Sequence, residues 1–126
     1  MRKRIIIALA LLALAIPFIL YGTQSEFSGN RVKSREQYIL EFERMNQEDS
    51  HALALHEGDT LSVEFAIDRG RVDLFIGMAG AEALYRGNDI DSGSFVLTAP
   101  KDGDYQITIQ AKHAAGYIRI NAPGSA

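Results

Sequence analysis

The residues able to do chemistry in this chain are few. Three histidines occur, at His51, His56 and His113. Zinc needs ligands that converge from fixed short spacings, i,i+2 on a strand or i,i+4 on a helix. His51 and His56 are five apart, which puts them on opposite faces of a regular strand, and His113 lies far along the chain. They read as surface loop histidines, and no metal site is expected. Asn88-Asp89-Ile90-Asp91-Ser92-Gly93 is the nearest approach to a calcium loop. An EF-hand needs oxygen ligands at positions 1, 3 and 5, glycine at 6 and a bidentate Glu at 12. Counted from Asp89, position 5 is Gly93, position 6 is Ser94 and position 12 is Pro100, which rules that loop out. A looser cation site on Asp89 and Asp91 competes with a plain solvated acidic turn.

Covalent catalysis needs a nucleophile with a base in hydrogen-bond reach. The chain has no cysteine and no Gly-x-Ser-x-Gly, and its serines sit in turn-like contexts. A carboxylate pair for glycoside chemistry can be drawn from many of the 16 acids, so no pair is diagnostic. The expectation is a protein that is not an enzyme and that takes no cofactor. Ligand binding is the better prospect. Tyr38, Tyr85, Tyr105 and Tyr117 are available as aromatic platforms in a chain without tryptophan. Tyr105 opens an alternating strand and reads as core. Tyr85-Arg86, next to the 88–93 loop, is the best surface candidate, so the ligand-binding candidates are Tyr85, Arg86, Asp89 and Asp91.

Elements must position those groups, and the first lies at the N-terminus. Arg2, Lys3 and Arg4 precede an uncharged apolar run from Ile5 to Tyr21, and no charge appears before Glu26. This is the pattern of a membrane-inserting or export signal, with the basic end cytoplasmic. The 17 residues would span about 26 Å as a helix, against about 30 Å of hydrocarbon. The run is also longer than the apolar core usual in a cleaved signal. Residues 1–21 are therefore expected to be a signal-anchor, with a cleaved signal peptide as the alternative. Either way the remainder lies outside the cytoplasm, in the cell membrane or secreted. Without cysteine it has neither disulfides nor an acylated N-terminal cysteine.

Residues 22–33 are small and polar at their start and read as a spacer, 34–122 as the folded domain, and 123–126 as a polar tail. Residues 26–126 hold ten Lys/Arg against sixteen Asp/Glu, a net charge of −6. A nucleic-acid binder would carry a basic stripe, so nucleic acid is not an expected partner. The expected contacts are the membrane, through the N-terminal helix, and an unidentified protein or glycan.

The domain reads as strands. Leu61, Val63, Phe65 and Ile67 alternate with Thr60, Ser62, Glu64 and Ala66 in the two-residue period of a half-buried strand. Asp68-Arg69-Gly70 reads as a turn. Val72, Leu74 and Ile76 then point inward, with Asp73 and Phe75 outward. Ser94–Thr98 is a short strand, Pro100-Lys101-Asp102-Gly103 a turn, and Tyr105, Ile107 and Ile109 share a face. Gly116 is expected to break the chain before a last strand, 117–121. Residues 34–46 fit either a capped helix, with Tyr38, Phe42 and Met45 on one face, or a strand that turns at Asn46-Gln47-Glu48-Asp49 into a hairpin with 50–55. We favour the strand. Seven or eight such strands argue for an all-β, antiparallel, jelly-roll-like β-sandwich behind one N-terminal helix.

From Asp49 to Asn121 this order of turns and strands resembles the bacterial pre-peptidase C-terminal (PPC) domain. The resemblance is carried by Leu55-His56-Glu57-Gly58-Asp59-Thr60-Leu61-Ser62-Val63, then Val72-Asp73-Leu74-Phe75-Ile76. It continues through Ser94–Pro100, Asp102-Gly103-Asp104-Tyr105-Gln106-Ile107-Thr108-Ile109 and Ala115-Gly116-Tyr117-Ile118-Arg119-Ile120. It covers about 70 of 126 residues and implies a small jelly-roll-like sandwich. That family usually trails a catalytic domain, which this chain lacks. The resemblance implies a non-catalytic accessory or binding module standing alone on an anchor.

Overall fold

The computed structural model describes residues 26–123. The signal or anchor segment, most of the polar spacer's first half and the end of the tail lie outside them. No helix among the described residues is long and apolar enough to cross a membrane. The described chain is all-β: β1 (Glu26–Lys33), β2 (Gln37–Asn46), β3 (Glu48–Leu55), β4 (Thr60–Gly77), β5 (Ala83–Gly87), β6 (Ser92–Thr98) and β7 (Gly103–Asn121). All seven belong to one hydrogen-bonded sheet in which every pair is antiparallel.

Pairing shows how the sheet is built. β7 runs unbroken for 19 residues. Its second half pairs with β2 and its first half with β3, in register from Gln37 opposite Asn121 to Leu55 opposite Gly103. β4 pairs along β7 in the same way on its other side, from Ser62 opposite Asn121 to Gly77 opposite Gln106. β5 and β6 then follow the two halves of β4, and β1 adds to β2.

This sheet must fold over. A straight β7 would measure about 63 Å at about 3.3 Å per residue. Yet residues 56–59 carry the chain from Leu55, at one end of β7, to Thr60, near its other end, a reach of at most about 18 Å. The two ends of β7 are therefore close. The long strands bend together where the register slips, around Phe42–Met45, Ile67–Arg71 and Lys112–Gly116. One layer then holds β1, β2, β6, the first half of β4 and the second half of β7. The facing layer holds β3, β5 and the remaining halves.

Between the layers lies one core. Leu40, Phe42, Leu61, Val63, Phe65, Ile118 and Ile120 come from the first layer, and Leu53, Leu55, Val72, Leu74, Ile76, Tyr105, Ile107 and Ile109 from the second. No polar or charged residue is buried among the described residues. The Tyr38 hydroxyl donates to Asp49, eleven residues away, whereas a straight strand would hold them about 36 Å apart. Burial, reinforced by that hydrogen bond, raises the Tyr38 phenol far above its ordinary pKa. Arg31 and Lys33 close on the same carboxylate at 3.3 Å each, tying β1 to β3.

Four expectations are corrected here. Residues 26–33, assigned to the spacer, form β1. Within 34–46 the strand reading holds for Gln37–Asn46, but β2 does not hairpin with β3, because both find β7 as their partner. Asp68-Arg69-Gly70 is a bulged bend inside β4 rather than a turn between strands, and Gly116 is a bend inside β7 rather than a break. At residues 46–49, 68–70 and 116 the local cue for changing direction was right, and the sheet hydrogen bonds simply continue through it.

Candidate functional site

The two outer faces of the sheet differ in how their charges are spent. On the first layer, Arg119 reaches Glu41 at 2.9 Å and Glu64 at 3.4 Å. Its guanidinium lies 4.0 Å from the Tyr117 ring centroid, and the Tyr117 hydroxyl donates to Glu64 at 3.0 Å. The Arg119 pKa is raised, first by the hydrogen bond to Glu41. That network is closed on itself.

The outer face of the second layer is different. Register places Phe75 directly between Thr108 on β7 and Arg86 on β5, and Thr108 opposite Ser50 on β3. Paired residues share a face, so Ser50, Thr108, Phe75 and Arg86 form one rung across the outside. The neighbouring rung carries Glu48, Gln110 and Asp73, and beyond it Arg71 stands opposite Lys112. A cleft of about 260 Å³ opens over this face, lined by Asp73, Phe75, Arg86, Asn88, Thr108 and Gln110, with backbone from Leu74 and Gly87. Phe75 is half-buried at its centre, and the Arg86 guanidinium sits 5.2 Å from the Phe75 ring centroid.

Asp73 holds the rim of the cleft. Its Oδ1 accepts the Asp89 amide at 2.7 Å and Arg71 Nε at 3.3 Å. The Asp89 N–H holds the carboxyl below its ordinary pKa, partial burial opposes this, and Arg71 and Lys112 add to the depression. With the folded value below that of the unfolded chain, near 3.9, this support is complete above the unfolded pKa. It is lost as pH falls through the folded one. The Asp89 amide proton is therefore expected to titrate by NMR with a midpoint below about 4, and Asp73→Ala should erase that inflection. A midpoint at or above the unfolded value would refute the assignment.

The four residues singled out by sequence do not converge. Tyr85 and Arg86 are neighbours on β5 and point to opposite faces. Arg86 joins the cleft, whereas Tyr85 stacks 4.6 Å from Phe95, ring to ring, and packs against the core. Tyr85→Ala should therefore lower stability rather than remove a binding platform. Asp89 contributes its backbone amide at the rim, with φ of 51°. Asp91 contributes its carbonyl to Ile67 N at 2.7 Å. No group of three or more His, Asp or Glu able to hold a metal occurs among the described residues. Phe75 is the residue that sequence reading placed outward without giving it a role. Its signal was available, an aromatic at a solvent-facing position of an alternating strand.

A larger groove, about 730 Å³, runs between the β1–β2 turn and β3. Much of its polar lining is engaged within the protein: His51 Nε2 lies 2.6 Å from Ser34 O, Lys33 pairs with Asp49, and Asp59 accepts the His56 amide. His56 stands exposed 3.9 Å from Asp102, and His113 lies in the bend of β7 with φ of 46°.

No family model matches the chain, and no curated protein matches it, so the likeness to the PPC domain stays a resemblance. A solved structure described as "CBM4 structure and function" aligns with 79% of this chain and 75% of that one, at 14% identity and a TM-score of 0.40. A likeness at that level leaves function to be argued from this chain's own residues.

Proposed function

We propose that this chain is a non-catalytic, extracytoplasmic binding module, a jelly-roll-like sandwich held to the membrane by its N-terminal segment, which takes a saccharide on the cleft around Phe75. The observation that carries this reading is an aromatic ring set in the middle of a polar sheet face and flanked by Asp73, Asn88, Thr108 and Gln110. A pyranose has an apolar C–H face, which matches an aromatic ring, and a belt of hydroxyls. Those hydroxyls match side chains that both donate and accept, as Asn, Gln and Thr do. Ligand sites commonly combine such a ring with a few convergent polar groups. The platform is rigid because Phe75 and its flanking groups stand on paired strands.

The membrane and export parts of this proposal rest on Arg2-Lys3-Arg4 and the apolar run to Tyr21. The non-catalytic part rests on the lack of a nucleophile motif in the sequence.

The test is retention of the full chain on a panel of immobilised polysaccharides. Phe75→Ala is expected to weaken retention by about tenfold or more, the equivalent of about 1.4 kcal/mol, with the thermal midpoint nearly unchanged. Absence of retention on every polysaccharide, or retention indifferent to Phe75→Ala, removes the saccharide reading. Co-purification of one stoichiometric protein partner would instead favour a scaffolding role.

A further inference from the structure

We infer that the ligand of the Phe75 cleft is acidic, a saccharide bearing a carboxylate such as a uronic acid, and that Arg86 reads that carboxylate. The inference rests on the saccharide reading above and narrows it.

Three cations stand on this outer face, Arg71, Arg86 and Lys112, against three carboxylates, Asp73, Glu48 and, opposite Ala54 at the far end of β7, Asp104. Residues 26–126 as a whole carry a net −6, so this face is balanced on a body that is acidic. Asp73 is already engaged by Arg71 and by the Asp89 amide. Glu48 lies on β3, at the far side of Gln110 from Asp73. Arg86 differs from the other guanidiniums among the described residues that line a sheet face. Arg31, Arg44, Arg71 and Arg119 each meet a carboxylate within 4 Å and Arg69 donates to the Glu43 carbonyl oxygen at 3.0 Å, whereas the contact of Arg86 is the Phe75 ring.

That contact has a chemical use. A guanidinium held over an aromatic ring, with no carboxylate on it, keeps N–H groups free, and these match a carboxylate in bidentate geometry. The ring holds the guanidinium in place without neutralising its charge. Arg86 lies beside the same ring that would take the sugar's apolar face. An acidic sugar seated on the exposed part of Phe75 would thus meet Arg86 with its carboxylate and Thr108, Gln110 and Asn88 with its hydroxyls.

Binding of the full chain should be measured with oligogalacturonate and with the same oligosaccharide after reduction of its carboxyl groups, which makes it neutral. The acidic form is expected to bind about tenfold more tightly at low salt, with the advantage shrinking as ionic strength rises. Arg86→Gln should bring the ratio close to one, and Arg86→Lys should restore only part of it. Lys101→Gln, an exposed cation in the β6–β7 turn, should leave the ratio as in the wild type. Each variant's thermal midpoint serves as the check on folding. A wild-type ratio near one, or a ratio unmoved by Arg86→Gln, overturns the inference. If the neutral form still binds and Phe75→Ala still weakens it, the saccharide reading survives that failure. If neither form binds, the inference falls, and the saccharide reading falls with it only when the polysaccharide panel also shows no retention.

Discussion

Leu74→Asp is expected to abolish the cooperative thermal transition of the domain. Leu74 is 1% exposed, in the middle of the second half of β4, opposite Ile109 on β7 and Gly87 on β5. The substitution removes about 2–5 kcal/mol of packing. It then asks the core to hold an unpaired carboxylate or to protonate it, at a cost of several kcal/mol more. A domain of this size has about 5–15 kcal/mol in total. No neighbour can rescue the charge, because no polar or charged residue is buried among the described residues. The measurement is circular dichroism against temperature, with Val96→Asp as the control. Val96 is 61% exposed on the edge strand β6, and its change should stay within about 0.5 kcal/mol. A Leu74→Asp domain that melts like the wild type would mean that β4 presents its other face to the core.

Gly70→Ala is expected to cost about 3 kcal/mol or more, because it attacks the bend on which the two-layer arrangement depends. Gly70 has φ of +80°, and a Cβ built there would stand 2.3 Å from the His113 carbonyl oxygen and 2.6 Å from the Ala114 Cα. Both are backbone atoms of the neighbouring strand β7 at its own bend, so neither can swing aside as a side chain would. At about 4–8 °C per kcal/mol for a domain of this size, the midpoint should fall by well over 10 °C. Gly58→Ala separates the two contributions. Gly58 has φ of +89° but nothing within 4 Å of its would-be Cβ, so it bears conformational strain alone, about 1 kcal/mol. Equal losses at both positions would show that close approach of β4 and β7 is not what glycine supplies at the bend. A similar approach occurs at Gly116, whose Cβ would stand 2.3 Å from the Ala66 oxygen.

The candidate site shows where reading by sequence stops. Alternation correctly turned Phe75 and Asp73 outward, since a strand's period is a property of its own residues. It also held the information that Tyr85 and Arg86 diverge, because adjacent strand residues face opposite ways. Grouping them with Asp89 and Asp91 by closeness in sequence overrode that signal. What alternation does not contain is the partner across the sheet. Thr108 and Arg86 flank Phe75 because β7 and β5 dock on β4 in one register, and a shift by one residue would place Ile107 or Tyr85 there instead.

The sequence by itself determined the class of the domain and the side of each strand that meets the core. The inward sets of residues 61–65, 72–76 and 105–109 are written in local alternation of apolar and polar side chains, which burial enforces. It also determined the acidic charge of the body and the lack of cysteine. Tertiary structure alone decided that β2 and β3 share β7, that residues 68–70 and Gly116 bend strands rather than end them, and that β1 is a strand at all. A bulge and a turn use the same residue types, and only the hydrogen bonds on the partner strand tell them apart. Those bonds join residues as far apart as Gln37 and Asn121, and no pattern within a short window of chain carries that pairing.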